Sequence, residues 1–414
     1  DVVAHIPRVP STAFGSVRTM ASEPLDDARN RRARVAAAAL FLTNGALFAN
    51  LLPRFPEIKS DLAMSNAVYG GSVAAFSAGA LISGLTAAAL IRRFQSARVA
   101  LVTTIALAAL IVVAGVAGSP LIFAAALFAA GASDAVTDVA PNVPGLRLQR
   151  NCGRSIINSL HAVWAVGAII GGLMGAAAIA LHVSRAVHLG FAAILFCTVV
   201  AVAYPYLLHG PDHDDHPSAQ NTGGRAVSAT VYLSLLALVG IAVAGATVED
   251  AGSSWATLYL RDGLGAPGAL APLGYVALVG FMFVGRLLGD RLVDRFGERA
   301  VARTGGVITA VGMGTALAFP SVPGTIAGFA AAGFGVATVV PAAMRAADEL
   351  PGLRAGTGLT LLTWLMRVGF FGAPLIVGVV ADATTLRVGL LTVPVAGVAL
   401  VVLAGALSAR RARS

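Results

Sequence analysis

Residues 98–117 read RVALVTTIALAALIVVAGVA, and this stretch decides the fold class. About 20 apolar residues, at a rise of about 1.5 Å per residue, match a hydrocarbon layer of about 30 Å. Because lipid offers the backbone no hydrogen-bond partner, the stretch is predicted to be a helix. Similar stretches recur along the chain. The twelve predicted spans are 35–53, 66–90, 98–117, 121–141, 156–179, 186–208, 228–250, 272–292, 301–319, 324–344, 356–380 and 386–408.

The composition excludes other broad classes. Hydrophobic residues make up 57% of the chain and charged residues 12%, whereas soluble domains have about 25% charged residues. No alternating polarity typical of a membrane β-barrel is visible. The net charge of +9 comes from arginines that gather in alternate loops, which is a topology signal and not a nucleic-acid footprint. The prediction is an all-α, multi-pass protein of the bacterial inner membrane with both termini cytoplasmic.

The polar segments divide the predicted chain. The N-terminal tail is expected to lack fixed structure, and its first 19 residues precede Met20, an alternative start. The predicted layout is a cytoplasmic tail 1–33, a first six-helix bundle 34–208, a cytoplasmic linker 209–227, a second bundle 228–408 and a tail 409–414.

The linker contains His209, His213 and His216 among three aspartates, which are suitable metal ligands. We interpret this segment instead as a solvated connection between the bundles. Cys152 and Cys197 are far apart in sequence and have no metal-ligand spacing, so both are interpreted as unreactive. No metal or cofactor is predicted.

The two halves of the chain repeat. A shift of 202 residues brings residues 90–94 (LIRRF) onto residues 292–296 (LVDRF). One offset that serves several regions indicates duplication of a six-helix unit, the layout of transporters that rock two bundles about a central site. The same shift pairs Val99 with Val301, Lys59 with Arg261, Leu62 with Leu264, Ser119 with Ser321, Gly131 with Gly333, Val166-Gly167 with Val368-Gly369 and Arg185 with Arg387.

Several motifs carry a family resemblance from about residue 35 to the end of the chain. They are Pro53-Arg-Phe-Pro-Glu-Ile58, Asp138-Val-Ala-Pro-Asn142, Gly153-Arg154, His161-Ala-Val-Trp164-Ala-Val-Gly167, Glu249-Asp-Ala-Gly-Ser-Ser-Trp255-Ala-Thr-Leu-Tyr-Leu260, Gly285-Arg286-Leu-Leu-Gly289-Asp290 and Gly372-Ala-Pro374 with Gly378. As a set they resemble the major facilitator superfamily, and within it the fucose-permease-like branch.

The resemblance implies two pseudo-symmetric six-helix bundles and alternating access. It also implies a cavity lined mainly by helices 1, 4, 7 and 10, and often a proton as coupling ion. This sequence departs from the pattern in two places. Arg92 stands where the loop after the second helix normally has an aspartate, although the second copy keeps Asp294. The Gly-Pro signature of drug/proton antiporters is missing from the fifth helix.

Asp134 and Asp138 are spaced i, i+4, so both lie on one face of the fourth predicted helix. An ionisable residue at membrane depth is costly unless it is paired or faces water, which makes each a functional candidate. Two neighbouring carboxylates repel each other when both are charged, so that one of them can bind a proton on one side of the membrane and release it on the other. The alternative is that they cap the helix or pair with Arg147 or Arg150. The resemblance puts Asp138 first, with Asn142 in the same motif.

Arg367 falls near the middle of the eleventh predicted helix. Since arginine cannot become neutral by losing its proton, it needs a carboxylate or an anionic group of a solute. The internal repeat pairs Arg367 with Ala165 and Asp138 with Val340, so the acid and the cation break the symmetry. We interpret this asymmetry as functional; a fixed structural ion pair is the alternative.

Four more residues are candidates for the cavity. His161 and Trp164 lie on one face of the fifth helix, where an imidazole can relay protons and an indole can stack on a sugar ring. Packing is the alternative for His161. Asn44, midway along the first helix, can bind hydroxyl groups or join helices. Trp364 is a further candidate lining residue in the eleventh helix.

The seventh predicted span ends with Glu249 and Asp250, so both are expected at its outer end. Gating and simple solvation are equally consistent with that position, and Glu249 is assigned to the cavity lining. Trp255 and Tyr259 follow and are predicted to anchor the membrane interface.

Glycines recur every fourth residue in two spans, as Gly167-xxx-Gly171-xxx-Gly175 and as Gly285-xxx-Gly289. Such smooth faces permit close packing, and we expect them to meet across the two halves and allow sliding. Charged residues at the cytoplasmic end of the eighth span are predicted to form an inner latch between the bundles. This group consists of Arg286, Asp290, Asp294 and Arg295.

Three functions compete. The leading hypothesis is a proton-coupled secondary transporter of a small polar solute, with sugars as one class. The second is a proton-driven exporter of amphipathic drugs or metabolites, and the third is a receptor-like protein that kept the fold and lost transport. No phosphate-cradling loop, nucleophile elbow or metal-binding helix supports an enzyme. The expected partners are a solute, protons and the bilayer, with no nucleic acid, and the chain is expected to be a monomer.

Overall fold

The computed structural model describes residues 24–84, 86–145, 148, 156–207, 229–351, 353 and 357–407. Several features predicted from sequence lie outside these ranges. They are most of the N-terminal tail, Arg147, Arg150, Cys152, Gly153-Arg154, the linker 209–227 with its histidines, and the C-terminal tail.

The described residues are almost entirely helical. We label the longer helices α1 (Pro24–Leu51), α2 (Asn66–Gly84), α3 (Ser96–Gly115), α4 (Pro120–Val139), α5 (Ile157–Ala180), α6 (Arg185–Ala203), α7 (Ala229–Asp250), α8 (Leu273–Phe296), α9 (Glu298–Ala318), α10 (Val322–Val336), α11 (Thr357–Ala383) and α12 (Thr392–Leu403). Shorter helical segments join them, at Leu52–Arg54, Phe55–Asp61, Ala87–Phe94, Tyr204–Tyr206, Ala251–Trp255, Ala256–Leu258, Tyr259–Gly263, Val339–Asp348, Leu386–Gly389 and Ala404–Ala406.

The membrane-spanning character of these helices confirms the all-α class. Within the part of the chain that the structure describes, 11 helical segments are long and apolar enough to cross a membrane. The predicted eighth span corresponds to α8, which is not among them and which carries Arg286, Asp290 and Arg291 in its second half. The fold class is therefore confirmed, while the count of twelve spans stays a prediction.

Two helix ends differ from the sequence prediction. Residues 24–33, expected to belong to the unstructured tail, form the beginning of α1. Pro24 stands at the first helical position, where its missing N–H is not needed. The seventh span continues past Asp250 through two wide π-helical segments and runs from Ala229 to Gly263.

The helix contacts repeat between the two halves. In the first half α1 packs against α5 and α6, α3 packs against α4 and α6, and α2 packs against α4. In the second half α7 packs against α11 and α12, α9 packs against α10 and α12, and α8 packs against α10. Adding six to each helix number of the first set gives the second set. The two pseudo-symmetric six-helix bundles are thereby confirmed.

The duplication extends to single atoms. A Cβ at Gly131 would collide with the carbonyl oxygen of Phe76, and a Cβ at Gly333 would collide with that of Leu278. Both members of each pair are separated by the 202-residue offset. The N-caps behave in the same way, since the Ser119 hydroxyl accepts from the N–H of Ile122 at 3.3 Å, as Ser321 does from Gly324. Helix crossings and caps were thus inherited together.

The halves meet through two helix pairs, α2 with α11 and α5 with α8. The glycine stripes of α5 and α8 do not form this contact, which corrects the sequence expectation. Gly171 faces the Ala46 carbonyl of α1. A Cβ placed on Gly285 would lie 2.5 Å from the Cβ of Ala337, just beyond α10. Each stripe therefore holds its own half together. The adjacent Gly172 faces Tyr275 of α8 instead, because successive helical residues point about 100° apart.

A buried polar chain ties the end of α1 to the start of α6. Arg54, only 3% exposed, donates to both carboxylate oxygens of Glu57 at 3.0 and 3.1 Å and to the Val183 carbonyl at 2.8 Å. Its Nε donates to His188 Nδ1 at 3.3 Å, so His188 Nε2 carries the proton that Asn50 Oδ1 accepts at 3.0 Å. Within the Pro53–Ile58 motif, Arg54 therefore has a structural role.

The repeat generates a prediction at Gln95, the N-cap of α3, which has φ 69° and ψ 138°. Its repeat counterpart, Gly297, has φ 84° and ψ 154°. Only glycine adopts this conformation without strain, so Gln95→Gly is expected to stabilise the protein by about 1 kcal/mol. The check is the melting temperature of the purified protein in detergent. Gly297→Gln is the reciprocal control and should lower it. A lower melting temperature for Gln95→Gly would contradict the interpretation.

Candidate functional site

A cavity of about 360 Å³ lies between the two halves. Its wall is formed by α1, α2, α4 and α5 of the first half and by α7, α8 and α11 of the second. The family resemblance implied helices 1, 4, 7 and 10, but no described residue of α10 lines the cavity. Besides α1, α4 and α7, the cavity is lined by α2, α5, α8 and α11, because the pairs α2–α11 and α5–α8 enclose it where the halves meet.

Asp138 lies in the cavity wall and accepts a hydrogen bond from the Asn44 amide, as the first-half wall brings α4 against α1. Asn44 is buried and itself lines the cavity. Asn142 donates its side-chain amide to the Asp138 carbonyl at 2.6 Å, which extends the end of α4 by one turn. The structure thus brings Asp138 and Asn142, assigned from sequence to coupling or solute binding, next to Asn44, assigned to the cavity lining.

Asp134, one turn before Asp138, lines the same cavity, and the two carboxyl groups interact with each other and with Arg367. Arg367 reaches across from the second half and donates to the Ala80 carbonyl of α2 at 3.2 Å. Its helix presents Thr363, Met366, Arg367 and Phe370 on the cavity face, spaced three and four apart. The cation and the acid pair therefore belong to opposite halves and share one enclosed space.

Glu249 and Asp250 line the cavity as well. The position of Glu249 agrees with its assignment to the cavity lining, whereas the expected place of both residues at the outer end of the seventh span was wrong. The span continues helically to Gly263, which leaves both residues inside it. Asp250 is 7% exposed and accepts from the Ser254 hydroxyl at 3.0 Å. A π-helical segment, Ala251–Trp255, follows at once, and such wide turns are frequent at functional sites.

Trp255 and Tyr259 are not interface anchors. Trp255 is fully buried (0% exposed) and packs edge-on against Tyr69 of α2, with ring centroids 4.9 Å apart. The Tyr69 hydroxyl donates to the Ser254 carbonyl at 2.5 Å. These aromatic residues join the halves beside the cavity, because the unpredicted extension of the seventh span carries them inward.

Two candidates lie away from the cavity wall. His161 packs edge-on against Phe41, with ring centroids 5.2 Å apart, and is not among the lining residues. Trp364 is 46% exposed and does not line the cavity, which corrects the expectation. The reason is its position next to Thr363, about 100° away from the face that carries Arg367. Trp164 does line the cavity.

The predicted latch residues lie at the end of α8 beyond the cavity. Arg286 contacts the Met282 sulfur at 3.6 Å, and among the residues that the structure describes no ion pair joins Arg286 to Asp290. Arg295 lies over the ring of Phe296, 5.4 Å from its centroid. A latch role for these residues and for Asp294 stays a prediction about another conformation.

The two halves are joined at the distal end of the bundle, where α2 begins and α11 ends. Asp382 of α11 accepts from the backbone N–H groups of Asn66 and Ala67 at 2.8 Å each. The carboxylate thus caps α2 from the other half, and its charge suits the positive end of the helix dipole. A Cβ placed on Gly378 would lie 2.5 Å from the Asn66 carbonyl oxygen, so α11 and α2 are in close contact here.

Asp382, Tyr69 and Ser254 were not predicted from the sequence as site residues, and the predicted position of Asp250 was wrong. Asp382 carried a signal, since an aspartate at the end of an apolar span is uncommon, but its partner is 316 residues away. The Tyr69–Ser254 contact could not be predicted from the sequence, because it depends on the π-helical extension of the seventh span.

Two packed helical halves that enclose a shared cavity with ionisable side chains in its wall are typical of membrane carriers. The sequence model of the Major Facilitator Superfamily matches residues 37–292. The uncharacterized transporter y4wD of Sinorhizobium fredii is 31% identical over 352 residues, covering 84% of this chain and 91% of that protein. The chain belongs to the Major Facilitator Superfamily and is a multi-pass membrane transporter.

Solved structures share the fold. A variant of the nucleoside transporter NupG superposes with a TM-score of 0.72 at 12% identity, covering 91% of this chain and 98% of that one. A D-xylose-proton symporter superposes with a TM-score of 0.67 at 13% identity, covering 90% and 96%. At such identities the likeness describes architecture, and the fucose-permease-like branch stays a prediction.

The contact at the distal end predicts the effect of Asp382→Ala. Loss of the cap should weaken the closed state by about 1 kcal/mol and shift the equilibrium about fivefold toward opening. The measurement is the labelling rate of Ser77→Cys, in the cavity wall, by a membrane-impermeant maleimide in a background without native cysteines. The rate should rise about fivefold.

Ser119→Ala is the matched control, because Ser119 caps α4 within one half. It should lower the melting temperature and leave the labelling rate unchanged. An Asp382→Ala protein labelled no faster than its parent would show that the cap does not hold the halves together.

Proposed function

We propose that this protein is a proton-coupled secondary transporter of a small polar solute, such as a sugar. The observation that carries the proposal is the shared cavity, in which Asp134 and Asp138 of one half face Arg367 of the other. An ionisable residue at membrane depth costs about 3 kcal/mol on insertion scales, so three together in a cavity point to a function.

The coupling cycle follows from the placement of these groups. Asp138 holds Asn44 on its own half, while Arg367 crosses to the Ala80 carbonyl of the opposite half. A proton on the acid pair weakens its attraction for the guanidinium, and this changes the strength of the contact between halves. Proton loading thereby favours one arrangement of the bundles over the other, which is the linkage that coupled transport needs.

The solute site has the size of a small molecule. A volume of about 360 Å³ lies near the lower limit for ligand pockets, roughly 300–1,000 Å³. Phe48 and Phe76 stack at 4.2 Å between ring centroids in the wall, and Trp164 adds an indole, so flat faces are available for a ring. The shared fold with a D-xylose-proton symporter and a nucleoside transporter suits such a solute.

The setting of this transporter is also part of the proposal. The distribution of arginine supports a bacterial inner membrane as the location, with both termini on the cytoplasmic side. The site lies within one chain, so a monomer is sufficient.

Asp138→Asn tests the coupling. The amide keeps the shape and the hydrogen bond to Asn44 but cannot exchange a proton. In vesicles with a pH gradient of one unit, the parent protein should concentrate solute up to about tenfold for one proton per solute. The variant should reach a ratio of about one and retain exchange of labelled for unlabelled solute.

The solute is first chosen from sugars and nucleosides by its effect on the melting temperature, since a ligand of the native state raises it. Glu349→Gln, at an exposed acid far from the cavity, is the matched control and should accumulate solute as the parent does. If Asp138→Asn still concentrates solute against its gradient, the coupling assignment is wrong. Absence of flux in the parent protein would favour a receptor-like role instead.

A further inference from the structure

The acidic groups in the wall of the central cavity outnumber the basic ones. Its wall carries four carboxyl groups and one guanidinium, those of Asp134, Asp138, Glu249, Asp250 and Arg367. Asn44 donates to Asp138, and Arg367 interacts with both members of the Asp134–Asp138 pair. The coupling role proposed above therefore uses the first-half acids and their cation. Glu249 and Asp250, on the opposite wall, have no assigned partner.

Asp250 is the more restricted of the two. The side chain is 7% exposed, and its Oδ1 accepts from the Ser254 hydroxyl at 3.0 Å. Its Oδ2 is buried and has no hydrogen-bond partner among the described residues. A buried carboxylate oxygen without a donor is unfavourable, so this lining residue has an acceptor that the described residues leave unsatisfied.

Glu249 adds a second acceptor to the same wall. No hydrogen bond from the described part of the chain reaches its carboxyl group. Arg286 interacts with it electrostatically, but Arg286 does not line the cavity and no ion pair joins the two described side chains. Two neighbouring acids of one helix therefore face the space without a cation in contact.

The surroundings favour an organic cation over a metal ion. In the described ranges no three His, Cys, Asp or Glu side chains converge closely enough to hold a metal. Aromatic rings surround the space instead, with Tyr275 and Phe370 on the second half and Phe48 and Phe76 on the first. The faces of such rings attract ammonium groups.

We propose that Glu249 and Asp250 form a subsite for an ammonium group, so that the solute is a small amine whose N–H groups fill the vacant acceptors. The ammonium lies between the two carboxyl groups, and the rest of the solute extends toward the aromatic wall of the first half. This inference rests on the proposed transport function and specifies the class of its solute.

The test compares amines with hydroxy compounds of the same skeleton. The pairs are glucosamine and glucose, galactosamine and galactose, ethanolamine and ethylene glycol, and tyramine and 4-(2-hydroxyethyl)phenol. Binding to the purified full chain in detergent is measured by calorimetry and by the shift in melting temperature at pH 6, where the amines are protonated. At least one amine should bind at least tenfold more tightly than its hydroxy partner, because hydrogen bonds to charged groups are the stronger ones.

Amide variants locate the subsite. Glu249→Gln and Asp250→Asn should each weaken binding of that amine at least tenfold and bring it close to the hydroxy partner. Glu349→Gln, the exposed control, should bind as the parent does. Two independent variants are used so that a folding defect in one, detected by its own melting temperature, does not decide the outcome.

Three results overturn the subsite. They are equal binding of both members of every pair, no binding of any amine, and unchanged amine binding in a folded Glu249→Gln or Asp250→Asn protein. The transport proposal fails separately. If one of those three results is found and a neutral solute still accumulates with the pH gradient, but not in Asp138→Asn, the transport function stands and the subsite does not. An amine that binds but is never accumulated keeps the subsite and removes the transport function.

Discussion

The cost of holding charge away from water is the constraint on which this structure depends. A carboxylate or guanidinium at membrane depth must find a partner or an aqueous space, since lipid supplies neither. Asp134, Asp138 and Arg367 meet that requirement only because the two halves enclose a common cavity. The Asn44 amide and the Ala80 carbonyl complete their contacts, one within a half and one across the boundary. The position of the charges therefore fixes where the halves must face each other.

The duplicated scaffold serves that constraint. Equivalent helix pairs pack in both halves, and Gly131 and Gly333 allow the same close crossing at positions separated by the repeat offset. The charges do not follow the repeat. The counterparts of Asp138 and Arg367 are Val340 and Ala165, and Val340 simply packs against Gly245. A symmetric frame with an asymmetric set of charges lets one half carry the acid pair and the other half the cation.

The contacts at the distal end are of two kinds. Asp382 caps α2 from the other half, and Tyr69 donates to the Ser254 carbonyl. Hydrogen bonds of this kind contribute about 1 kcal/mol each, so a small number of them holds the halves without locking them. By contrast, the Gly171 and Gly285 contacts lie inside single halves, where close backbone packing maintains rigid units. The contact of Gly378 with the Asn66 carbonyl is equally close, so the distal end combines hydrogen bonds with close packing between the halves.

The sequence by itself determined the features that follow from local chemistry. Apolar runs such as 98–117 predict helices because unpaired backbone groups are too costly in lipid, and the 202-residue offset reveals the duplication. The same reasoning marked Asp134, Asp138, Arg367, Asn44 and Trp164, all of which the structure places in one cavity wall. These residues were predictable because a polar group in an apolar helix is conspicuous wherever the helix packs.

Only the tertiary structure decided features that depend on helix continuation and on contacts between distant residues. Glu249 and Asp250 lie inside the seventh span and not at its outer end, because π-helical segments extend the span to Gly263, a departure from regular periodicity that composition does not encode. Trp364 turns away although it stands beside cavity residues, since a shift of one position rotates a helical side chain by about 100°. Asp382 and Asn66 are 316 residues apart, and their pairing exists only once both halves have folded against each other.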